Sequence, residues 1–235
     1  MTTPPRLGAG LHLIFDADDT LWQSNRLFEE AIEAFLDALD HAPLGRDEAR
    51  AILDEIERAN AGTHGYGVAA FRHSLAVTWE RVAGHPPDLA TLAHLGGLAD
   101  AVLDQPLELI PGVPETLRAL GARHELTMLT KGHPEEQRLK IDRSGLERLF
   151  AHTAIVFEKD AATYRALVRH RDMDPARTWM IGNSPRSDVW PALDAGIGAV
   201  LIPHAHTWRL EMTGLPDGHA RFMVVERFAG LLDHF

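Results

Sequence analysis

Residues 11–22, with the sequence LHLIFDADDTLW, join a short run rich in apolar side chains directly to three carboxylates. Such a run, followed by turn-forming polar residues, is typical of a buried strand that ends in a loop. In open parallel sheets, ligands bind beyond the carboxyl ends of the strands, so functional carboxylates are expected there. Repulsion and desolvation make such a cluster costly, and packing gives no reason for it. A solvated acidic turn is the alternative interpretation of Asp16, Asp18 and Asp19.

The composition is that of a globular protein with an excess of acidic residues. Hydrophobic residues make up 45% and charged residues 24% of the 235 positions, which allows a sizeable core and argues against disorder. The formal net charge is -11, and no run of basic residues is present, so nucleic acid is not expected as a partner. Only Lys131, Lys140 and Lys159 are lysines, which makes the position of each lysine informative.

Cysteine is absent, which excludes disulfides, thiolate metal sites and a cysteine nucleophile. The N-terminal sequence MTTPPRLGAG has no apolar segment of the kind found in secretory signals. No stretch of the chain approaches the roughly 18 apolar residues that a membrane-spanning helix needs. We therefore expect a cytoplasmic protein that does not associate with membranes.

After Trp22 the sequence changes to helical periodicity and keeps it for about eighty residues. Apolar residues recur at spacings of three and four in four successive segments, and Ser24 is available as an N-cap for the first. Consecutive helices without intervening strands predict a separate helical module. Because one strand precedes this module and the other strands follow it, we assign residues 1–22 and 106–235 to a core domain and residues 23–105 to an inserted helical domain.

From Leu109 onward, strand and helix patterns alternate. The predicted strands are ELTMLT (125–130), HTAIVF (152–157), TWMIG (178–182), GAVLIP (198–203) and a last one from Phe222. Helices are predicted after Pro134, through Leu167 and from Val189, and a terminal helix follows the last strand. Strands and helices that alternate at this spacing predict an α/β fold, a doubly wound parallel sheet with helices on both faces.

Polar side chains follow these strands at the edge of the sheet where ligands bind. They are Asp16, Asp18, Thr130, Lys159, Asn183 and Asp188. A set of oxygen donors without a histidine or cysteine partner suits Mg²⁺ better than zinc. One carboxylate can act as a nucleophile and a second as acid and base, while phosphoryl transfer needs mainly positioning and neutralisation of charge. This set of residues can supply both the positioning and the neutralisation of charge.

The order of four motifs resembles that of the haloacid dehalogenase (HAD) superfamily of phosphohydrolases. The motifs are DADDT at 16–20, Thr130 at the end of a strand, Lys159, and GNSPRSD at 182–188. The helical insertion directly after the first motif is similar to the C1-type cap of that family. The resemblance covers essentially the whole chain. It implies a Rossmann-like core with a cap, and a Mg²⁺-dependent phosphatase that acts on a small phosphomonoester.

The resemblance also implies roles for single residues. Asp16 would be the nucleophile that forms an aspartyl-phosphate, and Asp18 would protonate the leaving oxygen and then activate water. The residues expected to hold the phosphoryl group are Thr130, Lys131 and Lys159, of which Lys159 would bridge it to Asp16. The expected Mg²⁺ ligands are Asp16, Asp18 through its backbone carbonyl, Asp188 and Asn183.

Asn183 departs from the family pattern, because many members have an acid at this position. An amide oxygen can coordinate Mg²⁺ but brings no charge. We therefore expect Asp188 to be the direct ligand and Asn183 to be either a second ligand or a positioner of bound water.

Other functions remain open at this stage. A phosphomutase would transfer the phosphoryl group to a bound sugar phosphate instead of water. A 2-haloacid dehalogenase would attack carbon with the same aspartate and without a metal, but members with that activity lack the second aspartate, Asp18. A non-catalytic protein that binds a phosphorylated ligand is a further alternative. The oligomeric state does not follow from the sequence.

Overall fold

The computed structural model describes residues 7–39 and 44–235. The described residues form two compact units, one within positions 1–23 and 107–235 and the other within positions 24–106. The principal elements in chain order are β1 (His12–Phe15), α1 (Asn25–Ala38), α2 (Arg46–Ala61), α3 (Val68–Ala83), α4 (Leu89–Asp104), α5 (Val113–Gly121), β2 (Glu125–Lys131), α6 (Pro134–Ser144), β3 (His152–Val156), α7 (Ala161–His170), β4 (Thr178–Gly182), α8 (Trp190–Asp194), β5 (Gly198–Leu201) and β6 (Phe222–Val224).

The first unit is built on a six-stranded sheet with the order β3-β2-β1-β4-β5-β6. Every neighbouring pair of strands is parallel. The first strand is central, and Phe15 at its end is in register with Met128 of β2 and Ile181 of β4. The residues after Phe15 therefore emerge between the ends of β2 and β4. This architecture confirms the predicted doubly wound α/β fold with a helical insertion.

Alternation of side chains along β1 fills a separate core on each face of the sheet. Leu13 and Phe15 pack into one cluster together with residues of α5 and α6 and the C-terminal segment. Ile14 belongs to the cluster on the other face, to which α7 and α8 contribute. Leu13, Ile14 and Phe15 are fully buried, as expected for a central strand covered on both faces.

The structure differs from the sequence prediction mainly at the ends of elements. The fifth strand ends at Leu201, before the predicted Pro203, and the strand from His152 ends at Val156. A π-helical turn, Pro185–Val189, precedes α8 where an ordinary helix from Val189 was expected. The terminal helix is a 3₁₀ helix, Phe228–Asp233. Such boundaries depend on tertiary packing more than on local periodicity.

The second unit contains α1 to α4 and has its own apolar core. Members of that core from each helix include Phe35, Leu53, Phe71, Leu75 and Leu95. The Arg50 guanidinium is buried and pairs with both carboxylate oxygens of Glu29, at 2.6 and 2.9 Å. Ser24 occupies the N-cap position of α1, but its side chain makes no capping hydrogen bond. Among the described residues, no helix combines the length and apolar character needed to cross a membrane.

Candidate active site

The loop after β1 places a carboxylate beyond the centre of the sheet. The backbone N–H of Asp16 donates to the carbonyl of Ile181 at 2.9 Å, so Asp16 prolongs the pairing of β1 with β4. The chain then turns, because Leu21 N–H donates to the carbonyl of Ala17 at 2.8 Å. The hydroxyl of Thr20 donates to Oδ2 of Asp16 at 3.0 Å. Asp16 is buried, and these contacts hold its carboxylate in one orientation.

A buried lysine pairs with this carboxylate. Lys159 lies between β3 and α7, and its ammonium group contacts Oδ1 of Asp16 and lies 2.8 Å from Oδ1 of Asp188. Burial raises the pKa of Asp16 to about 7, because the loss of solvent and the nearby Asp188 outweigh the attraction of Lys159. Burial alone would lower the pKa of Lys159, but the two carboxylates raise it instead, so the lysine stays charged.

The fourth strand contributes the second carboxylate. Asp188 lies in the π-helical turn after β4, and its Oδ2 accepts the backbone N–H of Ser184 at 2.9 Å. Gly182 ends β4 directly beneath this group, and a Cβ at that position would overlap the Asp188 carboxylate. Glycine is thus required at position 182 by close packing and not by an unusual backbone angle.

Asn183 presents its amide oxygen to the same site. Its Nδ2 donates to the hydroxyl of Thr207 at 3.1 Å, and its Oδ1 lies 3.2 Å from the hydroxyl of Thr20, which also contacts Asp16. The bond to Thr207 determines that the oxygen end of the amide faces Thr20. The Thr20 hydroxyl therefore contacts both an oxygen of Asn183, which follows β4, and an oxygen of Asp16, which follows β1.

The side chain of Asp18 points to a different set of partners. Its Oδ1 lies 2.7 Å from Nε1 of Trp22 and 2.6 Å from Nζ of Lys140. Its Oδ2 lies 2.8 Å from Nε2 of Gln137 and 2.5 Å from Nζ of Lys140. Burial would raise the pKa of Asp18, but the Lys140 ammonium and these hydrogen bonds outweigh it and lower the pKa.

The residues at the end of β2 have different surroundings. Thr130 is buried beside β1, in register with Ile155 of β3. The Lys131 ammonium contacts Oγ of Ser187 at 2.7 Å and Oε1 of Glu211 at 2.7 Å, with Oε1 of Glu158 at 3.3 Å. Contact between this ammonium and a phosphate group would require one of these acceptors to be released, since an ammonium has three donors.

Sequence reasoning did not identify Thr20, Gln137, Lys140 or Glu211. Glu211 is buried, and its second carboxylate oxygen accepts a hydrogen bond from the hydroxyl of Ser184. The spacing of Thr20 from Asp16, four residues within one turn, was a usable signal. The scarcity of lysine was a second signal, and it applied to Lys140. Glu211 ends a 3₁₀ helix of three residues, Arg209–Glu211, after β5, and no sequence pattern indicated it.

The donor set near Asp16 suits a divalent cation. Two carboxylates, Asp16 and Asp188, are buried with a single lysine, Lys159, so when both are ionised one negative charge has no counter-charge in this group. Buried charge of this kind is costly without a further cation. In the described ranges, no three His, Cys, Asp or Glu side chains cluster as a metal site. Two carboxylates together with amide and backbone oxygens are nevertheless ligands that Mg²⁺ accepts.

The chain is similar in sequence and in fold to known hydrolases. A family model described as haloacid dehalogenase-like hydrolase matches residues 12–196. The crystal structure of a haloacid dehalogenase-like family hydrolase from Xanthomonas campestris is 31% identical, covers 94% of this chain and 88% of its own, and superposes with a TM-score of 0.82.

Two curated relatives have phosphatase names. The glyceraldehyde 3-phosphate phosphatase of Methanothermobacter thermautotrophicus is 26% identical, over 81% of this chain and 84% of its own length. The phosphoserine phosphatase of Thermus thermophilus is also 26% identical, over 66% of this chain and 81% of its own.

Proposed function

Because the chain belongs to the haloacid dehalogenase-like hydrolase family, we propose that it is a Mg²⁺-dependent phosphatase that hydrolyses a small phosphomonoester through a phosphoryl group carried on Asp16. The observation that carries this proposal is the contact of the buried Lys159 with both Asp16 and Asp188. A second carboxylate, Asp18, follows two residues after the first. Phosphatase names among the relatives support the reaction class.

The proposed reaction has two steps on phosphorus. An oxygen of Asp16 attacks the phosphorus atom while the bond from phosphorus to the ester oxygen breaks, and Asp18, which enters this step in its protonated form, supplies the proton that the leaving oxygen takes up. Water then attacks the phosphorus atom of the aspartyl-phosphate, Asp18 accepts a proton from that water, and inorganic phosphate and free Asp16 result. The number of protons on the enzyme is the same at the end as at the beginning.

Charge on the transferring group has to be neutralised during both steps. Lys159 is placed to do so, because its ammonium already contacts the attacking carboxylate. Thr130 and Lys131 are the last two residues of the neighbouring strand β2. We assign the Thr130 hydroxyl and the Lys131 ammonium to the phosphoryl oxygens. For Lys131 this assignment requires its ammonium to exchange one of its present acceptors, such as Glu158 at 3.3 Å, for the substrate.

We assign the Mg²⁺ site to Asp16, Asp188, the backbone carbonyl of Asp18 and the amide oxygen of Asn183. The ion would supply the positive charge that this set of residues lacks, and would screen Asp16 from the anionic ester. Asn183 contributes an oxygen without charge, so Asp188 has the larger share of the affinity. Thr207 maintains the amide orientation that this role requires.

We propose that the helical unit, Ser24–Pro106, acts as a cap that excludes water during phosphoryl transfer. It is inserted between the loop carrying Asp16 and the remaining core strands, so its movement would be linked by sequence to the catalytic loop. Substrate specificity would then depend on side chains of this unit.

The proposal is tested by phosphate release across a library of phosphorylated metabolites, with and without Mg²⁺. We expect wild-type protein to release phosphate from a subset of small esters, and the Asp16→Asn variant to be inactive on all of them. Wild-type protein that releases no phosphate from any ester in the presence of Mg²⁺ would contradict it. Halide release from 2-haloacids without metal would instead identify a dehalogenase.

A further inference from the structure

Lys140 is the one lysine of the chain that belongs to none of the four motifs and to no proposed phosphate contact, yet it lies beside Asp18. It belongs to α6, and its ammonium contacts both carboxylate oxygens of Asp18, at 2.6 and 2.5 Å. Its side chain is only 15% exposed, and that of Asp18 is 27% exposed. An ion pair shielded to this extent is not a solvated surface pair, which would contribute little.

Gln137 makes a second contact from the same helix. It precedes Lys140 by three residues, so both side chains lie on one face of α6. Its Nε2 donates to Oδ2 of Asp18 at 2.8 Å and to the carbonyl of Lys131 at 2.7 Å. Because both partners are acceptors, the amide has only one orientation that satisfies them. Gln137 is buried, and a Cβ at Gly132 would overlap its amide, so the neighbouring turn is shaped around it.

The contacts of Asp18 use every acceptor position that a carboxylate has. Trp22 and Lys140 donate to Oδ1, and Gln137 and Lys140 donate to Oδ2, which fills two positions on each oxygen. An aspartate on a loop would otherwise sample several rotamers. Two of the three donor residues, Gln137 and Lys140, come from α6, so the direction of the carboxylate is determined by the fold and not by the loop alone.

From this arrangement we propose that Lys140 is a positioning residue, which with Gln137 directs the side chain of Asp18 toward the leaving oxygen of the ester. The inference rests on the proposed function, in which Asp18 transfers the proton. Asp18 has to take up a proton before it can donate one, and a protonated carboxyl group has fewer acceptor positions, so one of the present donors opens when substrate arrives while the remaining ones keep the group in place. Among the described residues, the Lys140 ammonium contacts the side chain of Asp18 and not those of Asp16, Asp188 or Asn183.

The experiment uses esters with leaving groups of different basicity. An alkoxide must be protonated as it departs, whereas 4-nitrophenolate departs without a proton, so only the first class needs a well-directed acid. Values of kcat/KM for ethyl phosphate and for 4-nitrophenyl phosphate would be measured for wild type, Lys140→Met, Lys140→Arg and Gln137→Met. Arg138→Met is the matched control, because this cation lies on the same helix but pairs with Asp142 and Glu147, each at 2.7 Å.

We expect Lys140→Met to lower kcat/KM for ethyl phosphate by about tenfold or more and that for 4-nitrophenyl phosphate by less than about threefold. Gln137→Met should show the same selectivity, Lys140→Arg should recover most of the loss, and Arg138→Met should resemble wild type. An equal loss on both esters, no loss, or a gain of activity in Lys140→Met would overturn the inference.

A crystal structure of the Lys140→Met variant gives a readout that does not depend on turnover. We expect the Asp18 carboxylate to turn away from its wild-type direction, and an unchanged direction would overturn the inference. This readout separates the inference from the proposed function: if wild-type protein hydrolyses no ester at all, the proposed function is contradicted, but the direction of Asp18 in the variant still decides whether Lys140 positions it.

Discussion

The ammonium nitrogen of Lys159 lies 2.8 Å from Oδ1 of Asp188, and it also contacts the carboxylate of Asp16. The two aspartates follow adjacent strands, β1 and β4, and the lysine follows β3, on the far side of β2. One buried cation thus contacts two carboxylates that lie far apart in the sequence, at positions 16 and 188. This contact connects the proposed nucleophile with the proposed metal site.

Removing that cation should destabilise the protein and abolish its activity. In Lys159→Met, two carboxylates remain buried without their lysine, so the free energy of unfolding without Mg²⁺ should fall by about 3 kcal/mol. Addition of Mg²⁺ should restore part of the stability, because the ion supplies the missing positive charge, but it should not restore turnover. Urea unfolding with and without Mg²⁺ checks this, and an unaltered stability would contradict the described ion pairs.

Substitutions of Asp188 and of Asn183 should change the affinity for Mg²⁺ in opposite directions. Asp188→Asn removes a charged ligand and should raise the Mg²⁺ concentration for half-maximal activity by about tenfold or more. Asn183→Asp adds a carboxylate at the position where Oδ1 now faces Thr20, and should lower that concentration. Activity measured against Mg²⁺ concentration compares the three proteins. Wild-type Mg²⁺ dependence in Asp188→Asn would show that the assignment of the ligand is wrong.

Two glycines allow a comparison between damage to the site and damage to the core. Gly182→Ala places a methyl group on the Asp188 carboxylate, and we expect the phosphatase rate to fall on the order of a hundredfold. Gly198→Ala places one on the ring of Trp179 instead, which should cost about 2 kcal/mol of stability with little change in the rate below the melting temperature. Equal rates in the two folded variants would contradict this placement of Asp188.

The pair formed by Glu211 and Lys131 should make stability depend on pH in acid. Burial would raise the pKa of Glu211, but Lys131 and the hydroxyl groups of Ser184 and Ser187 lower it below the ordinary 4.5. A group whose pKa is lower in the folded state stabilises the protein above its unfolded pKa and loses that contribution as the pH falls through the folded value. The stability difference between wild type and Glu211→Gln should therefore be largest near neutral pH and shrink below pH 4.5.

Chemical denaturation at pH 7 and at several values below 4.5 measures this difference. Glu115→Gln is the control, because Glu115 is exposed and lies 3.6 Å from Arg118 on the surface of α5. This control should change stability little at any pH. A difference for Glu211→Gln that stays constant into acid would contradict the lowered pKa.

The fold followed from the sequence because its periodicities are strong. The apolar run 11–15, the helical segments after Ser24 and the alternation from Leu109 each report which faces are buried, and burial determines the layers. The ends of elements were predicted less well. The π-helical turn at Pro185–Val189 depends on the capping of Ser187 by Ser184 and on the packing of Asp188, neither of which has a local sequence period.

The candidate site was predictable only where its residues follow strands. Topology brings Asp16, Lys159 and Asp188 together, because parallel strands deliver their carboxyl ends to one edge. Partners that come from other places were missed. Lys140 contacts Asp18 from the middle of a helix, and Glu211 contacts Lys131 from a single 3₁₀ turn, so their contacts depend on how elements pack and not on spacing along the chain.

The central claim is that Asp16 accepts the phosphoryl group with the help of Mg²⁺. Beryllium fluoride binds to a carboxylate that can be phosphorylated and imitates the aspartyl-phosphate, so ¹⁹F NMR can test this claim without knowledge of the natural substrate. We predict resonances of bound fluoride in wild-type protein with Mg²⁺, and their loss in Asp16→Asn. Absence of bound fluoride in wild-type protein, or its retention in folded Asp16→Asn, would contradict the claim.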